Sequence, residues 1–468
     1  MVPEKASTHQ KALAVNLNEP TYGAFAEIGA GQEVARWFFR VGGASGTVAK
    51  SMSAYDMQVS DAIYGHADRY VCEQRLHTML EHEWNLLIER LDASRGDRSH
   101  FFVFANTVSV LNYSGNNEAH GWMGIRFQSN PRSAPSTVVA HVRMWDREGV
   151  LQQEALGIVG VNLIHAVTQL GGDPHLVVGA LADDLTTSRI EVDMIKFEGP
   201  LFAGVDNRLM SLRLVGEHLT NAVLFTPSGV AQPSEILRKK PVLTMRGRFH
   251  PVTRMHLDML QCARAQFSQE PANAGKDFIT LAEIPVNVLQ SEGQTRDQDA
   301  LARLDVLAAI GQDALVTNYS DYFRLSAYFH RYTREAIGLA LGMTELTALF
   351  TESNHEHLEG GILEALGRLF KSGVRLYLYP RRDARSGVLL SAKNFQVAPG
   401  LRGLFDYLLE NRQVVGMVGW DDAVVGIPTE QVAEKIRANE PDWEKLLPPG
   451  TPDVLRRHGA FGLPRSAA

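Results

Sequence analysis

The stretch of this chain best suited to chemistry is residues 241–257, Pro-Val-Leu-Thr-Met-Arg-Gly-Arg-Phe-His-Pro-Val-Thr-Arg-Met-His-Leu. Val242 to Met245 is an apolar run that reads as a buried strand. The run breaks at Gly247 and Pro251, and helical spacing resumes from Thr253, with Leu257, Leu260, Cys262 and Phe267 apolar. A strand, a glycine turn and a helix start present backbone N–H groups to a phosphate. Thr253 is also a good helix cap. Arg246, Arg248 and Arg254 add positive charge, and Lys239 and Lys240 are within reach in sequence.

The spacing Gly247-x-Phe249-x-Pro251-x-Thr253-x-x-His256 resembles the nucleotide-binding motif of the nucleotidylyltransferases. The resemblance implies a Rossmann-like domain that takes ATP and Mg²⁺ and joins AMP to a small phosphorylated acceptor, such as nicotinate or nicotinamide mononucleotide. It implies that His256 contacts ATP phosphates, with Thr253 and His250 beside it in the catalytic set. Gly247, Phe249, Arg246 and Arg248 then form the nucleotide turn. The family's second motif has its best match at Leu390-Ser391-Ala392-Lys393-Asn394, which makes Lys393 a nucleotide ligand. Glu283, at a strand end, is the candidate magnesium residue. The family usually has glycine where this chain has Met255, and an acidic residue where it has His250. The whole chain is also similar to members of a bacterial family, a likeness that adds no chemistry. The competing reading is a non-catalytic α/β protein that forms a structural or regulatory assembly.

Other constellations are weaker. Glu352, His355, His357 and Glu359 form a His-x-His group with carboxylates that suits a divalent metal, although acids ahead of a helix also complement its dipole. Asn318 to Tyr322 follows a strand end, where ligands bind in open α/β sheets; with Arg324, His330 and Arg331 it makes an acceptor pocket. The segment Glu27-Ile28-Gly29-Ala30-Gly31-Gln32 looks like a phosphate turn but lacks the third glycine of the dinucleotide fingerprint. It reads better as a tight turn for close helix packing. Trp122 to Gln128 and Thr137 to Trp145 alternate as a hairpin, which puts His141 and Arg143 on one face and Arg126 on the polar face with Gly124.

The elements that must position these residues follow from the pattern. Strands are predicted at 242–246, 278–284, 314–317, 336–341 and 374–379. Helices are predicted at 254–267, 297–311, 320–333, 344–350 and 358–371. That alternation predicts an α/β fold, with a Rossmann-like parallel sheet in the C-terminal half and an α+β N-terminal domain; a barrel is the second choice. The expected divisions are a flexible arm at 1–20, the N-terminal domain at 21–235, the α/β domain at 241–420, and a helix and tail at 421–468. Residues 190–229 read as strand–helix–strand, the signal of a parallel unit.

Composition bounds the rest. The chain has 468 residues, 45% hydrophobic and 21% charged, with a net charge of −7. That balance argues against general nucleic-acid or anionic-membrane binding. The two cysteines, Cys72 and Cys262, exclude a disulfide framework and read as buried thiols. No signal peptide or uncharged membrane-length stretch is read from the sequence. A cytoplasmic protein is expected, with homo-oligomer formation open.

Overall fold

The computed structural model describes residues 6–29, 31–289, 295–371, 373–383 and 386–465. The chain divides into two units, Met1–Asn221 and Ala222–Ala468. The division falls ahead of the expected linker, because the strands on either side of Pro227 join the second sheet.

The first unit opens with α1 (Thr8–Asn16), where a polar arm was expected. Ser7 and Gln10 form a reciprocal capping box at its start, and Ala12 and Val15 are fully buried. The arm is ordered because that helix has an apolar face to bury. There follow β1 (Thr21–Ile28), α2 (Glu33–Val41), β2 (Val48–Ala54), α3 (Met57–Tyr64), α4 (Glu73–Arg95), β3 (His100–Ser109), β4 (His120–Phe127), β5 (Ser136–Met144), α5 (Gly149–Gln169), α6 (Pro174–Ala180), β6 (Ile190–Glu198) and α7 (Asn207–Gly216). The six strands form one sheet in the order β2-β1-β3-β4-β5-β6. β1 is parallel to β2 and β3; the remaining pairs are antiparallel. This is the α+β arrangement expected.

α4 lies on one face of this sheet. Its stripe of Leu76, Met79, Leu80, Glu83, Trp84 and Leu87 recurs every three or four residues and is buried. Gly124 of β4 lets α4 approach, since a Cβ there would stand 3.2 Å from both Leu76 and Leu80. The face of Gly124 and Arg126 is therefore covered rather than solvated, and Arg126 lies over the Trp84 ring. The other face carries Phe25, Phe102 and Phe104 against α2 and α5. α5 is long and apolar enough to cross a membrane by length and composition, although no uncharged stretch of that length was read from the sequence. It is the core helix of this unit, with Leu156, Val159, Leu163 and Ile164 fully buried.

The second unit contains β7 (Ala222–Thr226), β8 (Gly229–Ala231), α8 (Pro233–Leu237), β9 (Val242–Arg246), α9 (Arg254–Gln269), β10 (Ile279–Pro285), α10 (Arg296–Ala309), β11 (Asp313–Thr317), α11 (Tyr322–Phe329), β12 (Ile337–Leu341), α12 (Met343–Leu349), α13 (Gly361–Phe370), β13 (Arg375–Leu378), a ribbon of β14 (Arg381–Arg382) and β15 (Leu389–Leu390), α14 (Arg402–Glu410), β16 (Val414–Gly416), α15 (Thr429–Arg437) and α16 (Thr451–His458). Every strand and helix predicted between 242 and 379 is present, with ends shifted by a few residues.

Its main sheet runs β16-β13-β12-β9-β10-β11-β7-β8. From β9 to β16 all pairings are parallel, and β7 joins β11 antiparallel. The expected parallel unit at 190–229 is thus corrected: β6 and β7 belong to different sheets and each is antiparallel to its neighbour. Numbered from β9, the six parallel strands stand in the order 3-2-1-4-5-6, the Rossmann order. The direction of building reverses between β9 and β12. β9 is interior because Val242, Leu243, Thr244 and Met245 are buried on both faces, as parallel strands under two helix layers require.

Candidate nucleotide site at the sheet crevice

Residues 247–253 leave the C-terminal end of β9, beside β12, at the crevice where open α/β sheets take ligands. The turn is built around Phe249, which is buried and holds a positive φ of 48°. A Cβ on Gly247 would lie 3.0–3.2 Å from the Phe249 ring. Gly247 is thus small for the benefit of Phe249. Its backbone N–H donates to Glu283 O at 3.0 Å, extending the β9–β10 ladder.

Thr253 caps α9 and is fully buried. Its backbone N–H donates to His256 Nδ1 at 3.1 Å, and its Oγ1 stands 2.9 Å from the same nitrogen. The Phe249 ring packs against the His256 ring, with centroids 5.5 Å apart. Nδ1 accepts an N–H and so carries no proton, which leaves the proton of the neutral ring on Nε2. Burial pushes the His256 pKa down to about 4. The residue as a whole is partly exposed, and its Nε2 has no hydrogen-bond partner among the described residues. The result is a neutral N–H donor at a helix N-terminus, whose first amides lack intrahelical partners.

The other site residues divide. Arg246 is engaged internally: it pairs with Glu283 at 2.5 and 3.1 Å, donates to Ser320 O and Tyr319 O, and stacks over Tyr322. Glu283 is fully buried and also accepts from Thr317 Oγ1 at 2.5 Å. Burial pushes the Glu283 carboxyl upward, against the lowering influence of Arg246. Both its oxygens are taken, so a metal ligated there would have to displace Arg246. Arg248 and Arg254 are exposed at the turn. His250 is withdrawn from the turn: its ring stacks on Phe461 at 4.2 Å, and its Nε2 is 3.5 Å from Asp299. Burial, with Arg303 nearby, pushes its pKa down to about 4. Asp299 itself is buried in a pair with Arg303.

The lysines are not gathered there. Lys239 and Lys240 precede β9, whose five residues span about 17 Å, so they sit at the opposite edge from Gly247; Lys240 pairs with Asp277. Lys393 is exposed in the turn after β15, and its neighbour Ala392 lies 3.3 Å from a Cβ built on Gly416. That is the correct edge, but over β16, three strands or about 14 Å from β9. Met255 is partly exposed.

The remaining constellations also have definite places. His355 Nε2 bonds Leu349 O at 2.9 Å, and His357 Nε2 stands 3.3 Å from Asp321, so the two histidines serve different partners. Tyr319 and Ser320 give their carbonyls to Arg246. In the first unit, Ala30 of the glycine-rich turn lies outside the described residues. The helix start after that turn is already occupied by a carboxyl: Glu27 accepts from the N–H groups of Val34 and Ala35 and from Asn106. Burial raises the Glu27 pKa to about 7. Gly29, with φ 89°, has no room for a side chain against Val108 O. The turn is tight, as read from sequence, but its Gly29 makes room for strand β3 and not for a helix. Cys262 is buried, whereas Cys72 is partly exposed as the cap of α4.

Sequence reading missed His120 and Asp193. His141, seen only as sharing a face with Arg143, is buried between them. A polar residue at alternate positions of an otherwise apolar strand was the available signal.

No family model matches the chain, and no curated protein matches it. Among solved structures, competence/damage inducible protein CihA from Agrobacterium tumefaciens aligns with 16% identity over 36% of this chain and 100% of that one, at a TM-score of 0.27. A competence-damaged protein (CinA) superfamily protein from Enterobacter cloacae aligns with 11% identity over 36% of this chain and 96% of that one, also at 0.27. At these scores the likeness assigns no function to this chain.

Proposed function

We propose that the second unit binds ATP with Mg²⁺ and transfers AMP to a small phosphorylated acceptor, nicotinate or nicotinamide mononucleotide being the acceptor class, as a cytoplasmic nucleotidylyltransferase. One observation carries this reading. His256 has its Nδ1 held by the Thr253 N–H, which leaves the ring proton on Nε2, at the start of the helix that follows the strand beside the sheet crevice.

The acceptor phosphate attacks the α-phosphate in line and pyrophosphate leaves, so the protein's task is positioning and charge stabilisation. His256 Nε2–H donates to a phosphate oxygen without adding fixed charge. Thr253 positions that ring by holding Nδ1. The first amides of α9 face the same anion, and Arg248 and Arg254 supply exposed positive charge. Mg²⁺ would neutralise the phosphates and take its ligands from them and from water, since Glu283 is committed to Arg246 and Thr317.

Calorimetry with MgATP on the full chain tests this. Binding by the wild type is expected, weakened at least about tenfold, or 1.4 kcal/mol, in His256→Ala. No heat from either folded protein would remove the reading. The alternative, a non-catalytic α/β assembly protein, draws its support from Met255, a bulky residue at the helix start where phosphate must approach.

A further inference from the structure

A second chemical arrangement lies in the first unit, on the α4 face of its sheet. Asp193 Oδ1 stands 2.5 Å from His141 Nδ1, and both residues are almost wholly buried, at 2% and 1% exposed. His141 Nε2 stands 3.1 Å from His120 Nδ1. His120 is partly exposed. The three side chains form one line from the interior to the surface. The Trp122 ring closes against His141 at 4.9 Å, and Arg143 Nε holds the second Asp193 oxygen at 3.1 Å.

The sheet makes a local exception to build this line. The β5–β6 register pairs His141 with Met194 and then Val142 with Val192, leaving Asp193 as the extra residue of a bulge. A bulge re-aims a side chain, and here it turns Asp193 under His141. Folding has no need of such a network, because apolar residues of similar volume are commonly as stable. A buried ionisable group with a specific charged partner is a candidate for a functional site.

We propose that the first unit carries its own proton-transfer site, in which His120 Nε2 takes the proton of a weakly acidic hydroxyl, from water or an alcohol, and the resulting charge rests on His141 beside Asp193. The O–H bond breaks as the His120 Nε2–H bond forms. His120 Nδ1 passes its own proton to His141 Nε2, so His120 ends neutral and His141 becomes an imidazolium hydrogen-bonded to Asp193. The product is an oxyanion, and Arg143 and Arg69 bring positive charge to bear on His120, with Asp193 acting in the opposite sense. Burial first, then the charge that His141 carries when protonated, then Arg143 and Arg69, push the His120 pKa down to about 3 against the opposing Asp193, so charge rests on His141 and not on the outer ring. The same arginines oppose a bound metal cation. Glu118, the nearby acid, lies 3.8 Å from Arg143.

His120 meets the substrate; His141 and Asp193 position it. Diethylpyrocarbonate, which acylates an unprotonated imidazole nitrogen, tests this on the full chain with peptide mapping. His120 is expected to react faster than exposed His9 and His66, and about tenfold or more slowly in Asp193→Asn. An unreactive His120, or an unchanged rate in folded Asp193→Asn, overturns the proposal. Should that variant fail to fold, the wild-type imidazole ¹⁵N–¹H spectrum decides. His120 with its proton on Nδ1 and a far-downfield His141 Nδ1–H support the relay; a proton on His120 Nε2 overturns it. Stoichiometric Zn²⁺ binding that His120→Asn abolishes would make the pair metal ligands and overturn it too.

Discussion

The backbone N–H of Thr253 donates to Nδ1 of His256, three residues further on, at 3.1 Å. One bond thereby caps α9 and sets the His256 tautomer, so the helix start and the candidate phosphate donor are made by the same contact.

His256 is expected to titrate near pH 4. Its pKa is lowered from 6.5 by burial, so the unfolded chain binds the proton more tightly than the folded one. The sign follows: this contribution to stability is present above about pH 6.5 and is lost as pH falls toward 4. His250, also lowered to about 4, acts in the same direction. A histidine NMR titration gives the midpoint directly. In urea melts, the fall in stability between neutral and acid pH should be smaller in His256→Gln than in the wild type. A His256 midpoint near 6.5 would refute the buried-ring account.

Glu283→Ala should destabilise the second unit by about 3–5 kcal/mol, the cost of leaving Arg246 without its buried partner. Urea unfolding reads this. A change under about 1 kcal/mol would mean that Arg246 finds other partners, and Glu283 would return as a candidate metal ligand.

Gly247→Ala places a methyl 3.0–3.2 Å from the Phe249 ring. A loss of about 1–3 kcal/mol is expected from that overpacking. Gly247→Ala combined with Phe249→Leu should lose less than the two single changes summed. Simple additivity would show that the glycine does not serve the Phe249 ring.

Met255→Gly separates packing from obstruction. If Met255 packs beside the helix start, truncation lowers stability by roughly 2–5 kcal/mol and leaves MgATP affinity unchanged. If it fills the phosphate position, stability changes little and MgATP binding strengthens. Its partial exposure leads us to expect the smaller loss of stability, with tighter binding. Melting curves and calorimetry on one preparation distinguish the outcomes.

The sequence by itself determined the strands and helices between residues 242 and 379 and the place of the candidate turn. Apolar runs such as Val242 to Met245, and helical stripes such as Leu257, Leu260 and Phe267, are local periodicities that survive without partners. The glycine–proline break and the Thr253 cap are local in the same sense. Tertiary structure alone decided which charges face ligand and which face each other. Arg246 and Glu283 are 37 residues apart, and His141 and Asp193 are 52 apart. Each pair meets only through strand register, in one case across a bulge that no local pattern announces. Helix α1 was missed for a related reason: its short apolar face becomes visible as such only where α5 covers it.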